Sequence, residues 1–189
     1  MTEQLNRWRN ASRIRHLAAL LDGGGLIAHP TEGVFGVGCD ALNTQAVHRV
    51  ILLKGRAEHK GLIVLGADRG QFEALVDDAE LAQIPPPTTI PTTWLVRAHP
   101  SAPRAVTGGR STIAVRLCAL PATNALLQRF GRAMVSTSAN RTGHRPAQTA
   151  LQARAFLGAA LDGVLSEVTG GRRRPSRIIE LATGRIIRA

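Results

Sequence analysis

Apolar positions recur along the chain with two periods. Over residues 3–22, Leu5, Trp8, Ile14, Leu17, Leu20 and Leu21 fall at roughly helical spacing, and three glycines at 23–25 end the helix they predict. Residues 26–29 read as a short buried strand stopped by Pro30, and residues 31–38 as a glycine-spaced loop. Asn43 or Thr44 caps a helix that carries Val47, Val50 and Ile51 and ends at Lys54. Residues 62–65 form a strand, and 70–84 a helix broken by Pro85, Pro86 and Pro87. Residues 92–97 and 112–117 are β-rich, 122–130 helical, 134–136 a strand, 149–157 helical and 163–166 a strand. A hairpin closes the chain, with strands at 177–181 and 185–188 around Thr183-Gly184. Helices and strands alternate without a strict βαβ beat, which predicts an α/β fold on a mixed sheet. No repeat or long linker interrupts it, so residues 1–189 read as a single domain. The tract 170–175 is the one stretch expected to be mobile.

Composition narrows the partners. The net charge is +11, which calls for an anion: nucleic acid, nucleotide or acidic protein. Only 3% of residues are aromatic and none is tyrosine, which argues against a surface that stacks single-stranded bases. No apolar run is long enough for a bilayer, and the start has no signal-peptide pattern, so no membrane partner and a cytoplasmic location are expected. Cys39 and Cys118 are far apart, which predicts two reduced, buried thiols. The six histidines make no metal-binding or triad pattern. Of the 24 basic residues only Lys54 and Lys60 are lysine, and they sit together. A compact ammonium acts as a point charge on phosphate, a task distinct from that of a planar guanidinium. Two ordinary lysines on a solvated helix end are the other explanation.

Five segments can carry chemistry. The glycine-spaced stretch after Pro30 lets backbone amides approach a ligand, or is an ordinary tight connection. Lys54, Arg56 and Lys60 can neutralise a triphosphate, or complement a helix dipole. Ser136, Thr137, Ser138 and Asn140 follow an apolar strand, where small polar groups bind phosphate and sugar, or cap the next helix. Arg116 alternates with apolar neighbours on a strand and needs an anionic partner, either a substrate carboxylate or a buried Asp or Glu. Ser176 stands at a strand entrance, preceded by the charge run Arg172, Arg173 and Arg174.

Taken in order, these segments resemble the YrdC/TsaC threonylcarbamoyl-AMP synthases in their short form. The matching text is residues 27–40, Leu53-Lys-Gly-Arg56, residues 60–63, Ile113-Ala-Val-Arg116, residues 135–140, Thr169-Gly-Gly171, Pro175-Ser176 and Arg188, so that about 15–189 is covered. The resemblance implies a YrdC-like twisted mixed β-sheet flanked by helices, with a basic cavity. It implies a nucleotidyltransferase that makes threonylcarbamoyl-AMP and pyrophosphate from L-threonine, bicarbonate or CO2, and ATP with Mg2+. A downstream transferase complex of the TsaB/TsaD/TsaE type would pass the threonylcarbamoyl group to tRNA. Carried over by position, Lys54, Arg56, Ser138 and Asn140 would be catalytic. ATP would be bound by Lys54, Arg56, Lys60, Thr112, Ser136, Asn140, Pro146 and Arg188, and threonine by Thr31, Arg116, Ser138 and Ser176. No protein side chain is implied as a metal ligand. On this reading Lys54 and Arg56 serve the ligand, and their loss leaves folding intact.

The chain departs from the pattern at four places. Residues 88–93 keep only Pro91 and Thr93 of the family's Trp-Pro-Gly-Pro-x-Thr. Leu65 stands where some longer relatives have histidine, Ala57 replaces a proline, and the 85–87 prolines are its own. These bear on the cavity wall, activity and amino-acid preference. Two other readings compete. One is a non-catalytic protein that uses the basic cavity on tRNA or double-stranded RNA. The other is a carbamoyl-adenylate enzyme with a different donor, whose relatives are usually one domain of much longer chains.

Overall fold

The computed structural model describes residues 2–172 and 175–189, with side chains from residue 10 onward. Leu5, Trp8, Arg173 and Arg174 therefore lie outside the described side chains. The elements in order are α1 (Thr2–Asp22), β1 (Ile27–Pro30), β2 (Phe35–Gly38), α2 (Thr44–Lys54), β3 (Ile63–Gly66), α3 (Asp78–Leu81), β4 (Thr92–Arg97), α4 (Arg104–Thr107), β5 (Thr112–Leu117), α5 (Pro121–Phe130), β6 (Met134–Ser138), α6 (Ala150–Leu157), β7 (Gly163–Val164), β8 (Arg177–Glu180) and β9 (Ile186–Arg188). The strands form one nine-stranded sheet in the order β7-β1-β2-β6-β3-β5-β4-β8-β9. β1–β7, β3–β5 and β4–β8 are parallel and the other pairs antiparallel, which is the mixed sheet expected from the irregular beat.

Two helical layers cover the sheet. Leu17 and Leu21 of α1 and Leu126, Leu127 and Phe130 of α5 pack on Ile27, Leu65 and Met134. Val47, Val50 and Ile51 of α2 and Val106 of α4 pack with Val64, Val115 and Val135. Ala153 and Leu157 of α6 fill a smaller cluster with Ala28, Phe35 and Val37. Neighbouring residues of one strand thus serve different layers, as the two-residue period of a strand requires. Among the described residues no helix is long and apolar enough to cross a membrane. Cys39 and Cys118 are buried and free, as expected.

Two expectations change. Residues 70–84 are not one helix: a 3-10 turn at Gly70–Phe72 and the four-residue α3 share the segment. Val76 forms a bridge to Ala98, and Asp77 donates its amide to the Arg97 carbonyl, so strand-like pairing takes the backbone away from helix formation. Residues 35–38 are a strand, and Gly36 and Gly38 are not there for turning, since neither has a positive φ. A Cβ at Gly38 would collide with the Val135 carbonyl oxygen. Of the tract 170–175 that sequence reads as mobile, residues 173 and 174 lie outside the described residues. Gly170 donates its amide to Thr31 and Arg172 donates its own to Glu32, at 3.0 and 2.9 Å.

The Gly38 contact yields a prediction. Gly38→Ala forces β2 away from β6 and lowers stability by roughly 1–3 kcal/mol, as overpacking does. Urea unfolding measures this; an unchanged midpoint would mean the strands separate freely.

Candidate functional site

The alternation that builds the core also builds a cavity. Ile63 pairs with Ser136 across β3 and β6, Leu65 with Met134, and Leu65 with Arg116 across β3 and β5. These residues share one face of the sheet. Met134 and Leu65 lie under α1 and α5. Ser136, Ser138, Ile63 and Arg116 line a cavity of about 460 Å³. The turn after β1 contributes Thr31, Glu32 and Gly33, and the entrance to β8 contributes Pro175 and Ser176. Arg56, Arg172 and Arg188 complete a set of four lining arginines with Arg116, and Glu32 is the one acidic residue among the described lining.

Eight of the twelve residues singled out by sequence line this cavity: Thr31, Arg56, Arg116, Ser136, Ser138, Pro146, Ser176 and Arg188. Lys54 and Asn140 stand directly behind it. The Lys54 side chain is buried, and its Nζ donates to the Ser138 carbonyl at 2.5 Å, the Asn140 carbonyl at 2.6 Å and Asn140 Oδ1 at 2.8 Å, with Ser138 Oγ at 3.3 Å. At the other end of the residue, the Lys54 carbonyl accepts from the Thr142 amide and hydroxyl. Gly55 follows in the left-handed region, at φ 56°, and caps α2 on the Ile51 and Leu52 carbonyls. The end of α2 is thereby stitched to the loop after β6, and the ammonium is saturated by protein acceptors. Asn140 holds the rest of that loop, donating its Nδ2 to the Arg141 and His144 carbonyls. Burial, and then the neighbouring Arg56, lower the Lys54 pKa to about 8.

Lys60 is exposed and Thr112 half-buried; both lie outside the lining. The Arg56 guanidinium donates to the Gly61 carbonyl at 3.0 Å, which aims it across the loop that carries Lys60. Arg188 forks onto the Ser176 carbonyl at 3.1 and 2.8 Å, so β9 fixes the entrance of β8. Burial lowers the pKa of Arg56 and of Arg188; Arg110 adds to the first and Arg116 to the second. These guanidinium groups repel one another and attract an anion.

Sequence reasoning missed three residues. His29, expected to be a plain strand residue, is fully buried, with Nδ1 3.2 Å from the Pro30 carbonyl and Nε2 3.3 Å from Ser136 Oγ. Since a carbonyl only accepts, Nδ1 carries the proton and Nε2 accepts from the Ser136 hydroxyl. Burial lowers the His29 pKa to about 4, so the ring is neutral at pH 7. Thr93 hydrogen-bonds Ser176 Oγ at 2.9 Å. Glu32 forms an ion pair with Arg116 at 3.4 Å, which realises the internal partner left open for that arginine. The need of Arg116 for an anion was the signal; its distance from Glu32 in sequence concealed the partner. Leu65 is fully buried in the core, and Pro91 lines the cavity.

Residues 19–189 match the Sua5/YciO/YrdC family, whose description reads telomere recombination. A threonylcarbamoyl-AMP synthase of Halorhodospira halophila is 42% identical over 181 residues, covering 93% of this chain and 94% of that protein. One from Thiobacillus denitrificans is 45% identical over 177 residues, covering 92% and 93%. The crystal structure of P. abyssi Sua5 complexed with L-threonine superposes with a TM-score of 0.80 at 29% identity, over 89% of this chain and 51% of that one. This chain thus spans about half the length of that Sua5. E. coli YciO, at 21% identity, shares the fold with a TM-score of 0.75 over 93% of this chain and 87% of that one. The chain belongs to the Sua5/YciO/YrdC family.

Two predictions follow from the Lys54 geometry. Lys54→Met strands buried acceptors and lowers stability by roughly 2–3 kcal/mol. This revises the expectation from sequence that its loss leaves folding intact. Chemical denaturation checks it, and a wild-type midpoint would return Lys54 to a purely ligand-facing role. A lowered lysine pKa also means that the charge is lost sooner as pH rises. Turnover therefore declines on the alkaline side with a midpoint near pH 8. A pH–rate profile flat to pH 9.5 would separate Lys54 charge from activity.

Proposed function

We propose that this chain is an L-threonylcarbamoyladenylate synthase. The observation that carries the reading is the convergence of Arg56, Arg116 and Arg188 with the hydroxyls of Ser136, Ser138 and Ser176 on one cavity. The threonylcarbamoyl-AMP synthases that resemble nearly the whole chain support it. The threonine amine adds to CO2 and loses a proton, giving a carbamate. A carbamate oxygen then attacks the α-phosphorus of ATP, the bond to the bridging oxygen breaks, and pyrophosphate leaves. Such a displacement on a polyanion needs cations and aligned donors more than a protein nucleophile.

Each residue has a task on this reading. Arg56, with Lys60 on the loop whose carbonyls it holds, meets the phosphates. Lys54 and Asn140 act from behind, holding the Ser138 turn against the reacting atoms. Arg116 takes the threonine carboxylate, with Thr31, Ser138 and Ser176 as hydroxyl partners. The Ser136 hydroxyl donates a hydrogen bond to His29 and so turns its lone pairs toward the ligand. Thr112, Pro146 and Arg188 border the adenylate. Mg2+ would enter on the nucleotide phosphates as part of the substrate, and Glu32 is the one carboxylate that the described lining would offer it. The product would pass to a tRNA-modifying transferase complex.

The test is pyrophosphate release from ATP, magnesium and bicarbonate with and without L-threonine, and mass detection of the adenylate. Threonine-dependent release with the threonylcarbamoyl-AMP mass is the expected result. Arg56→Ala then lowers kcat/KM for ATP roughly 100-fold while the protein stays folded. No release with any amino acid, together with salt-sensitive binding of RNA unaffected by ATP, would instead make the cavity a nucleic-acid site.

A further inference from the structure

Glu32 and Arg116 make an ion pair that is close but unfinished. Their charged atoms are 3.4 Å apart and both side chains are about nine-tenths buried, with 13% and 10% exposed. Glu32 Oε2 and Arg116 Nε are both enclosed by protein, and neither has a hydrogen-bond partner. A buried ion pair offsets its desolvation only when hydrogen bonds satisfy its remaining donors and lone pairs. Here they do not, so the pair is poorly rewarded as a structural element. The backbone beneath it is fixed: the Glu32 carbonyl accepts from the Arg172 amide, and Thr31 closes its turn on Val34.

The surroundings say what the unfinished valences await. Four guanidinium groups face the cavity against one carboxylate among the described lining. A ligand that is only anionic has no use for that carboxylate, which competes with it for Arg116. A zwitterion needs both. An α-amino acid carries its ammonium one carbon away from its carboxylate. A substrate carboxylate that takes the place of Glu32 on the Arg116 guanidinium therefore carries its ammonium to within one carbon of that contact, in reach of the displaced Glu32 carboxylate. We propose that Glu32 is a resident counter-ion that exchanges partners with the substrate: the amino-acid carboxylate takes Arg116, and the released Glu32 carboxylate takes the α-ammonium. This rests on the threonine-binding reading and adds to it a residue that selects α-amino acids over other carboxylates.

The two charges make opposite contributions to different ligands, and that gives the test. Isothermal titration compares L-threonine with 2,3-dihydroxybutyrate, which keeps the carboxylate and β-hydroxyl and replaces the amine by a hydroxyl. Wild-type protein is expected to prefer threonine by about tenfold or more. Glu32→Gln, which keeps the shape and removes the charge, brings the two affinities together and binds dihydroxybutyrate more tightly than wild type does. Glu32→Asp keeps the charge and retains a preference for threonine. Were Glu32→Gln to keep the wild-type preference, or to weaken both ligands equally, the exchange would be overturned while threonine binding stood. Were wild-type protein to bind neither ligand, the threonine reading would fall and the exchange with it.

Discussion

Strand alternation is the constraint from which this site follows. Side chains on one face of β3, β5 and β6 have a single orientation, set by a two-residue period. Beneath α1 and α5 that face must be apolar, and Leu65 and Met134 meet the need. Two residues along, the same face carries Ile63 and Ser136, and across from Leu65 it carries Arg116. Cavity and core are therefore one surface with two coverings. A register slip of one residue would move Arg116 and Ser136 to the α2 side and Val115 and Val135 into the cavity. The register is in turn held by close approach. Gly36 and Gly38 let β2 lie against His29, Ser136 and the Val135 carbonyl, where any Cβ would intrude.

The buried lysine explains its own rarity. In a chain with two lysines and twenty-two arginines, the ammonium at position 54 meets four oxygens of a single turn. A tetrahedral ammonium on a flexible stem can converge on such a cluster, whereas a planar guanidinium presents its donors as a rigid fork. Lysine is thus needed here to hold a turn. The turn bears Ser138, which lines the cavity, so the effect of the charge reaches the ligand through backbone geometry. The lowered pKa of about 8 reflects burial more than repulsion, and Arg56 supplies the rest.

Much of the architecture was legible because its signals are local. The Asn43 cap, the αL Gly55, Pro121 at the start of α5 and the Gly131 that ends it are all chemical marks of helix limits. Of the eight cavity residues, Ser136, Ser138 and Ser176 were legible as small polar groups at strand ends, Arg116 as a charge on a strand and Arg56 as part of a basic cluster after α2, while the tasks of Thr31, Pro146 and Arg188 came from the family resemblance. What escaped depends on contacts remote in sequence. Residues 70–84 look helical until the bridge between Val76 and Ala98 competes for the backbone. His29 reads as an ordinary strand position until Ser136, 107 residues later, is placed beside it. The choice between a ligand and an internal partner for Arg116 required knowing where Glu32 lies.

The altered 88–93 loop illustrates how selective such departures are. Of the family's pattern it keeps Pro91 and Thr93, and these are the two positions that touch the site. Pro91 is part of the cavity wall. Thr93 is fully buried on Ser176, whose carbonyl in turn anchors Arg188. Thr88 and Thr89, which depart from the pattern, instead line an adjoining cavity of about 230 Å³ with the three prolines, Trp94 and Leu117. Arg172 spans the two, since it lines both cavities and donates to the Thr89 carbonyl. The substitutions therefore alter a neighbouring wall and leave the Thr93–Ser176–Arg188 chain intact. A loop constrained at two positions by hydrogen bonding and packing is free to change at the others.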